Sequence, residues 1–334
     1  MSAAVAAAPD GARLYATHCA ACHGDKGSGG VGVPLALPSF LGSVDDAFLR
    51  KTIRLGRPGR VMPAFTQLSD SQLESLVRFI RQWSDKPEPE FSGAAITADA
   101  LHGKALYATH CTGCHGANGE GGKGTGVTFS RQRDLPIIAP ALNNRGFLAA
   151  ATDEMIRHTL LYGREGTPMV SMLDAGLSKA DINDLVAFVR SFEKEQALVT
   201  QPDDSEAEPA IIVESPYSLE ETVDNLKTEI VSQNFTLIRT DYLEHGLAGE
   251  DEQDKQEVIL HFCNFRFLFE ALGIDPRVGM FLPCRITVVE HAGKVLVMTI
   301  DPMYLSKLFN NDELDDACKK MTGIYKTIIE DATL

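Results

Sequence analysis

Six residues, Leu14-Tyr15-Ala16-Thr17-His18-Cys19, recur unchanged as Leu106-Tyr107-Ala108-Thr109-His110-Cys111, and each copy runs on into Cys-x-x-Cys-His-Gly. Such identity within a 334-residue chain points to duplication, so the first half is expected to fold as two copies of one small unit. Downstream, Thr52 to Met62 (TIRLGRPGRVM) aligns with Thr159 to Met169 (TLLYGREGTPM). The offset grows from 92 at the cysteines to 107 at the methionines, giving the second copy about 15 extra residues, some within Gly121 to Arg133, a Gly-rich and then basic loop. Each copy closes on an amphipathic helix. Ser69-Asp70-Ser71-Gln72 fits a capping box and Ser178-Lys179-Ala180-Asp181 an N-terminal cap. Leu73, Leu76, Val77 and Ile80 then form one apolar stripe, and Ile182, Leu185, Val186 and Val189 the other.

The repeated motif carries a specific chemistry. Two thiols one helical turn apart can add across the vinyl groups of a haem, and the imidazole that follows reaches the iron from the same face. Cys19, Cys22 and His23 provide this once, and Cys111, Cys114 and His115 again. A single Cys-x-x-Cys pair could serve zinc or redox chemistry instead; two in register within a repeat argue against that.

With these motifs, each half resembles a class I cytochrome c: Cys-x-x-Cys-His on an N-terminal helix, a Met-bearing loop, and a C-terminal helix crossing the first. The resemblance covers roughly the first 196 residues. It implies two all-α modules, at 9–86 and 98–196, with two covalently bound haem c groups. It also implies His/Met ligation of each iron, by His23 with Met62 and by His115 with Met169, Met172 being the alternative. The residues agree, because a thioether on a Gly/Pro-rich loop is wasted unless it meets a metal, and His/Met coordination raises haem potential. Arg57, Arg60 and Arg164 lie beside the Met loops, where a guanidinium could pair with a haem propionate or simply face solvent. His18 and His110 are expected to point away from the iron, and His102 and His158 to be surface or helix-packing residues.

Charge divides the chain. Residues 1–200 hold 20 basic and 20 acidic side chains, residues 201–334 hold 11 and 26, so the whole net charge of −15 belongs to the last third. Such acidity suits a basic protein surface, disfavours nucleic acid, and is also compatible with a merely solvated face. A Pro-punctuated linker, Asp85-Lys86-Pro87-Glu88-Pro89-Glu90, separates the modules, and an acidic one, Gln201-Pro202-Asp203-Asp204-Ser205-Glu206, precedes the third domain.

That domain, 208–334, reads as α+β with a mainly antiparallel sheet and helices on one face. Strands are predicted at Ile211–Glu214, Phe235–Tyr242, Glu257–Phe262, Cys284–Val289 and Lys294–Ile300. Helices are predicted from Ser218 to about Val231 and from about Asp312, with a hairpin turn at His291-Ala292-Gly293. Its opening strand and helix, the strand Leu282-Pro283-Cys284-Arg285-Ile286 with Val288-Val289-Glu290, and Ile300-Asp301-Pro302 resemble the domain family of unknown function numbered 302. No agreed activity transfers from that resemblance. Cys263 and Cys284 could form a disulfide or remain buried thiols beside Cys318; a ligand or metal site with His261 and Met298 or Met303 is the sharper alternative. Docking or oligomerisation is the role expected of the domain, because its sequence offers no constellation of acid, base and nucleophile.

The sequence thus predicts a periplasmic electron-transfer relay between redox proteins, and is compatible with a place in a respiratory or sulfur/nitrogen-oxidising complex and with a homo- or hetero-oligomer. Six-coordinate irons leave no place for a small substrate, and no catalytic residue is assigned. The rival is a dihaem oxidoreductase, of peroxidase or thiosulfate-oxidising type, with one labile ligand. No apolar run approaches the roughly 18 residues of a membrane helix. Thioether attachment of haem takes place outside the cytoplasm, yet Met1 to Pro9 has no basic start and no sufficient apolar core, so it is read as a mature or re-engineered start.

Overall fold

A computed structural model describes residues 9–122, 138–199, 208–242 and 256–334. The part of the Gly121 to Arg133 loop beyond Gly122 lies outside the described residues. The chain divides into two compact units, one built from the two repeats and one from the residues that follow Pro202.

In the first repeat, α1 (Gly11–His18), α2 (Ala20–His23), α3 (Pro38–Leu41), α4 (Asp46–Leu55) and α5 (Asp70–Arg81) follow one another. The second repeats the order with α6 (Ala100–His110), α7 (Thr112–His115), α8 (Arg145–Ala150), α9 (Asp153–Tyr162) and α10 (Lys179–Val199). The caps repeat too: Asp10 accepts from the amides of Ala12 and Arg13, and Asp99 from those of Leu101 and His102. Ser69 and Gln72 form the expected capping box on α5, and Ser178 and Asp181 exchange equivalent bonds on α10.

The first and last helices of each module pack together, α1 on α5 and α6 on α10. Glycine permits the approach. A Cβ on Gly11 would stand 2.2 Å from the Ser75 carbonyl oxygen, and one on Gly103 would stand 2.0 Å from that of Asp184. Beside each crossing a fully buried tyrosine donates its hydroxyl hydrogen to the turn after the motif, Tyr15 to Gly24 O at 2.7 Å and Tyr107 to Gly116 O at 3.0 Å.

A second duplicated device ties the last helix to the middle of its module. Arg81 donates to the Asp46 carboxylate and to the carbonyls of Leu41 and Val44. Arg190 does the same to Asp153, Leu148 and Ala151, the counterparts at the 107-residue offset. Carboxylate and carbonyls together satisfy most of each guanidinium's fork of donors.

The C-terminal unit contains β1 (Ala210–Ser215), α11 (Leu219–Ser232), β2 (Thr236–Tyr242), β3 (Glu257–Cys263), α12 (Phe265–Ile274) and a 3-10 turn (Pro276–Phe281). It continues with β4 (Cys284–His291), β5 (Lys294–Ile300), α13 (Met303–Phe309), a 3-10 turn (Asp312–Leu314) and α14 (Asp315–Thr333). The strands form one antiparallel sheet in the order β1-β5-β4-β3-β2. Alternate residues, Val258, Leu260 and Phe262 on β3, Ile286 and Val288 on β4, Val295 and Val297 on β5, face one core. Leu226 and Ile230 of α11 and Ile328 and Ile329 of α14 close it. Ala292 and Gly293 both take positive φ in the β4–β5 turn, as a two-residue hairpin of primed type requires. Helices α12 and α13 were not predicted. α12 is held by a local cap, the Asn264 side chain accepting from the Phe267 amide, within a run whose aromatic residues read equally well as a strand.

Candidate functional site

Each Cys-x-x-Cys-His motif lies at a break between two helices. In the first copy α1 ends at His18, Cys19 leaves the helical path, and α2 carries Cys22 and His23; in the second, Cys111 stands between α6 and α7 in the same way. The histidines then meet a carbonyl from the loop opposite. His23 Nδ1 is 2.8 Å from Val33 O, and His115 Nδ1 is 2.9 Å from Pro140 O. A carbonyl only accepts, so Nδ1 carries the proton and Nε2 keeps its lone pair, the form a metal-ligating imidazole takes. A Cβ on Gly32 would stand 2.6 Å from the His23 ring, so the residue before Val33 must be small. Burial pulls both imidazoles below the ordinary histidine range, which keeps Nε2 unprotonated.

The Met loops share one geometry. Arg57 donates its amide hydrogen to Met62 O at 2.9 Å, and Arg164 donates to Met169 O at 2.7 Å. Three residues on, Phe65 donates to Ile53 O and Met172 to Leu160 O. Met169 therefore occupies the position of Met62, and Met172 that of Phe65. Met62 and Met169 are half-buried against the core, whereas Met172 is part of it at 5% exposure.

The arginines beside these loops are not surface groups. Arg57 donates to Gly56 O and Thr52 Oγ1, both at 3.0 Å, and its guanidinium lies 5.6 Å from the Phe48 ring centroid and 5.9 Å from that of Phe147. Arg164 lies 5.1 Å from the Phe40 ring centroid. Burial lowers each guanidinium to about 10. Arg60 is near enough to Glu120 to help hold that carboxyl low, behind the larger effect of backbone hydrogen bonds to it.

Arg57 and Arg164 are repeat counterparts, and so are Phe40 and Phe147. Each module therefore places its Met-loop arginine over the other module's phenylalanine. Further contacts follow the same approximate two-fold relation. Asn144 donates to Pro58 O at 2.7 Å, and Ser39 donates to Glu165 O, the counterpart carbonyl, at 2.6 Å. At Gly146 a Cβ would stand 2.3 Å from Gly56 O. Helices α4 and α8 pack here, with Phe48 edge-on to Phe147. The interface is self-complementary, as in an isologous dimer, though both halves belong to one chain.

Whether a haem suits these residues can be judged from polar atoms left unsatisfied. His158 Nδ1, Thr159 Oγ1 and Arg164 Nε are buried without a hydrogen-bond partner. Buried polar groups are rarely left so, and a carboxylate such as a haem propionate would answer the guanidinium. The donor set fits. Among the described residues neither Cys-x-x-Cys pair joins a group of three convergent ligating side chains, which a zinc site would need.

The histidines next to the motifs and on the helices lie apart from these loops or pack locally. His18 and His110 are exposed, His18 edge-on to Phe65. His102 Nδ1 sits 2.8 Å from Asp184 Oδ2, joining α6 to α10, and His158 packs between Phe91 and Tyr162. In the C-terminal unit Cys263, Cys284 and Cys318 are free thiols. His261 pairs with Asp241 at 3.0 Å, and no metal-holding trio forms around these residues among those described.

Comparison with known proteins agrees with this division. Residues 6–80 match the family described as cytochrome C oxidase, cbb3-type, subunit III; residues 100–193 match cytochrome c; residues 211–332 match the domain of unknown function DUF302. The dihydro-heme d1 dehydrogenase of Pseudomonas aeruginosa is 38% identical over 97 residues, 29% of this chain and 19% of that protein. The cbb3-type cytochrome c oxidase subunit CcoP of Azospirillum brasilense is 39% identical over 83 residues, 22% of this chain and 28% of that protein. The chain thus spans less than a third of either relative. Among solved structures, a DUF302 protein from Bacillus stearothermophilus aligns with a TM-score of 0.35 at 21% identity, covering 38% of this chain and 99% of that one. A Kuenenia stuttgartiensis reducing HAO-like protein complex aligns with a TM-score of 0.36 at 24% identity, covering 55% and 94%. With a cytochrome c family matched over each haem-attachment motif and DUF302 over the sheet domain, the chain carries two tandem cytochrome c domains and a C-terminal DUF302 domain.

Proposed function

We propose that the chain is a periplasmic two-haem electron relay, in which Cys19 and Cys22 hold one haem c and Cys111 and Cys114 hold another. Each bound group supplies a one-electron couple. The rest is the work of side chains. His23 and His115 would offer Nε2 to the iron, with Nδ1 fixed by a loop carbonyl. Met62 and Met169 supply thioethers from equivalent loop positions, which favours Met169 over Met172. Arg57, Arg60 and Arg164 offer positive charge to the propionates. The modules run over 9–86 and 98–196, and the DUF302 domain over 208–334.

The observation that carries the relay is the reciprocal interface. It packs the Met-loop arginine of each module against an aromatic residue of the other, Arg57 on Phe147 and Arg164 on Phe40, a direct junction between the modules. Similarity to an oxidase subunit supports a place in a larger redox assembly, and the acidic last third suits a basic partner surface.

Haem quantitation by the pyridine haemochrome method should give two per chain, and a redox titration two one-electron waves. Carbon monoxide should leave the reduced native spectrum unchanged. One haem per chain, or carbon monoxide binding at one iron without denaturant, would overturn the relay and favour a dihaem oxidoreductase.

A further inference from the structure

The C-terminal domain holds a half-open cavity of about 610 Å³ against its sheet, lined by residues of β1, β3, β4 and β5 and by α12, the 3-10 turn Pro276–Phe281, α13 and α14. We propose that this cavity binds a neutral, flat, conjugated organic molecule. Its volume lies within the roughly 300–1,000 Å³ of small-molecule sites. Three features of the lining specify the ligand class.

The first is soft, polarisable surface. Cys263, Cys284 and Cys318 come from β3, β4 and α14, far apart in sequence, and all three line this one space with Met298 and Met321. The rings of Phe267, Phe281 and Tyr325 complete the wall. Sulfur and aromatic edges pack favourably on π-faces, which suits a conjugated ring better than a saturated chain.

Neutrality is the second. Burial pushes the Cys263 and Cys318 thiols up to about 11 and raises Cys284 as well, so all three remain protonated near neutral pH. Glu257 and Arg285 are the two charged side chains in the wall, opposite in sign, and Arg285 is exposed. No net charge is held inside to match an ion.

The third is that three of the wall's polar side chains, Thr299, Asn264 and Tyr325, already have partners. Thr299 Oγ1 donates to Arg285 O at 2.7 Å, Asn264 accepts from the Phe267 amide at 3.1 Å, and Tyr325 bonds to Cys284. An apolar ligand leaves none of them stranded. A metal is a poorer fit. Among the described residues the three thiols form no convergent trio, and each would have to shed a proton to bind one.

The test is equilibrium dialysis of the full-length, haem-loaded protein against 2-naphthol, a neutral aromatic probe, and against anionic 2-naphthalenesulfonate. One saturable 2-naphthol site per chain is expected, with at least about fivefold weaker binding of the sulfonate. Filling the cavity by Ala317→Trp or, as a second variant, Leu268→Trp should each lower 2-naphthol binding at least about fivefold while the haem spectrum is unchanged. Bound 2-naphthol should also slow maleimide labelling of Cys263, Cys284 and Cys318, read by peptide mass spectrometry. No saturable site, equal binding of the sulfonate, or undiminished binding in both filled variants would overturn the proposal. Stoichiometric copper(I) binding that protects the same thiols and displaces 2-naphthol would replace it with a metal site.

Discussion

The guanidinium of Arg164 lies 5.1 Å from the centroid of the Phe40 ring, and its repeat counterpart Arg57 lies 5.9 Å from that of Phe147, the counterpart of Phe40. Two copies of one sequence thus grip each other with the same pair of residues. At Gly146 the two backbones approach too closely for a side chain. Gly146→Val would force a side chain onto Gly56 O, 2.3 Å from where its Cβ must sit. The modules should part, with a larger radius of gyration in solution scattering and new proteolytic cleavage between residues 85 and 98. Unchanged scattering and cleavage would show that the contact tolerates the chain.

The equivalence of Met169 with Met62 separates two methionines that neighbour each other in sequence. Met169→Ala should abolish the methionine-to-ferric-iron absorption band of one haem. Met172→Ala should keep that band while losing about 2–5 kcal/mol of stability, the usual cost of emptying a buried methionine site. Spectra and urea titrations of both variants check the assignment, and the reverse pattern would exchange the roles.

Helix crossing is another place where one methyl group decides. Gly103→Ala would place a Cβ 2.0 Å from Asp184 O, and Gly11→Ala one 2.2 Å from Ser75 O. Each should cost about 1–3 kcal/mol by overpacking. The loss is read as a lower urea midpoint, and a neutral result would mean that the helices slide apart freely.

His102 joins the same helices by charge. The Asp184 hydrogen bond, with further help from nearby carboxylates, raises its pKa above the usual histidine value. A raised folded-state pKa stabilises fully below the unfolded value of about 6.5 and the benefit is lost as pH rises through the folded pKa. Wild type should therefore exceed His102→Gln in stability at acidic pH, with the difference shrinking as pH rises. Urea midpoints across that window test the sign.

Asp275 gives the opposite dependence. Burial alone would raise its pKa, but hydrogen bonds from Arg277 and Asn311 outweigh it and the net shift is downward. Its contribution is present above the unfolded value of about 3.9 and lost as pH falls through the folded pKa. Asp275→Ala should cost about 3 kcal/mol near neutral pH, since it strands a partly buried guanidinium, and less as acid is approached. Denaturation of the wild type and variant at pH 7 and pH 3 compares the two.

What the sequence by itself determined was whatever depends on near neighbours or on copying. Cys19, Cys22 and His23 declare their chemistry through a spacing of one helical turn, and duplication carries that register to Met62 and Met169. Caps at Ser69 and Ser178 and the alternation of β3, β4 and β5 are equally local. Tertiary structure decided the rest. Arg57 and Arg164 read as loop cations, yet packing buries them on rings over 80 residues away, because only the folded interface says which faces meet. Arg81 and Arg190 gave no signal apart from their alignment; their partners are loop carbonyls, which every sequence supplies. For Cys263 and Cys284 the sequence left a disulfide, buried thiols and a ligand or metal site open; sheet register sets Cys284 opposite Phe262, and the two remain free thiols that line one space with Cys318. Spacing reports what a helix or strand does to its own residues, whereas burial and partnership depend on surfaces that meet only after folding.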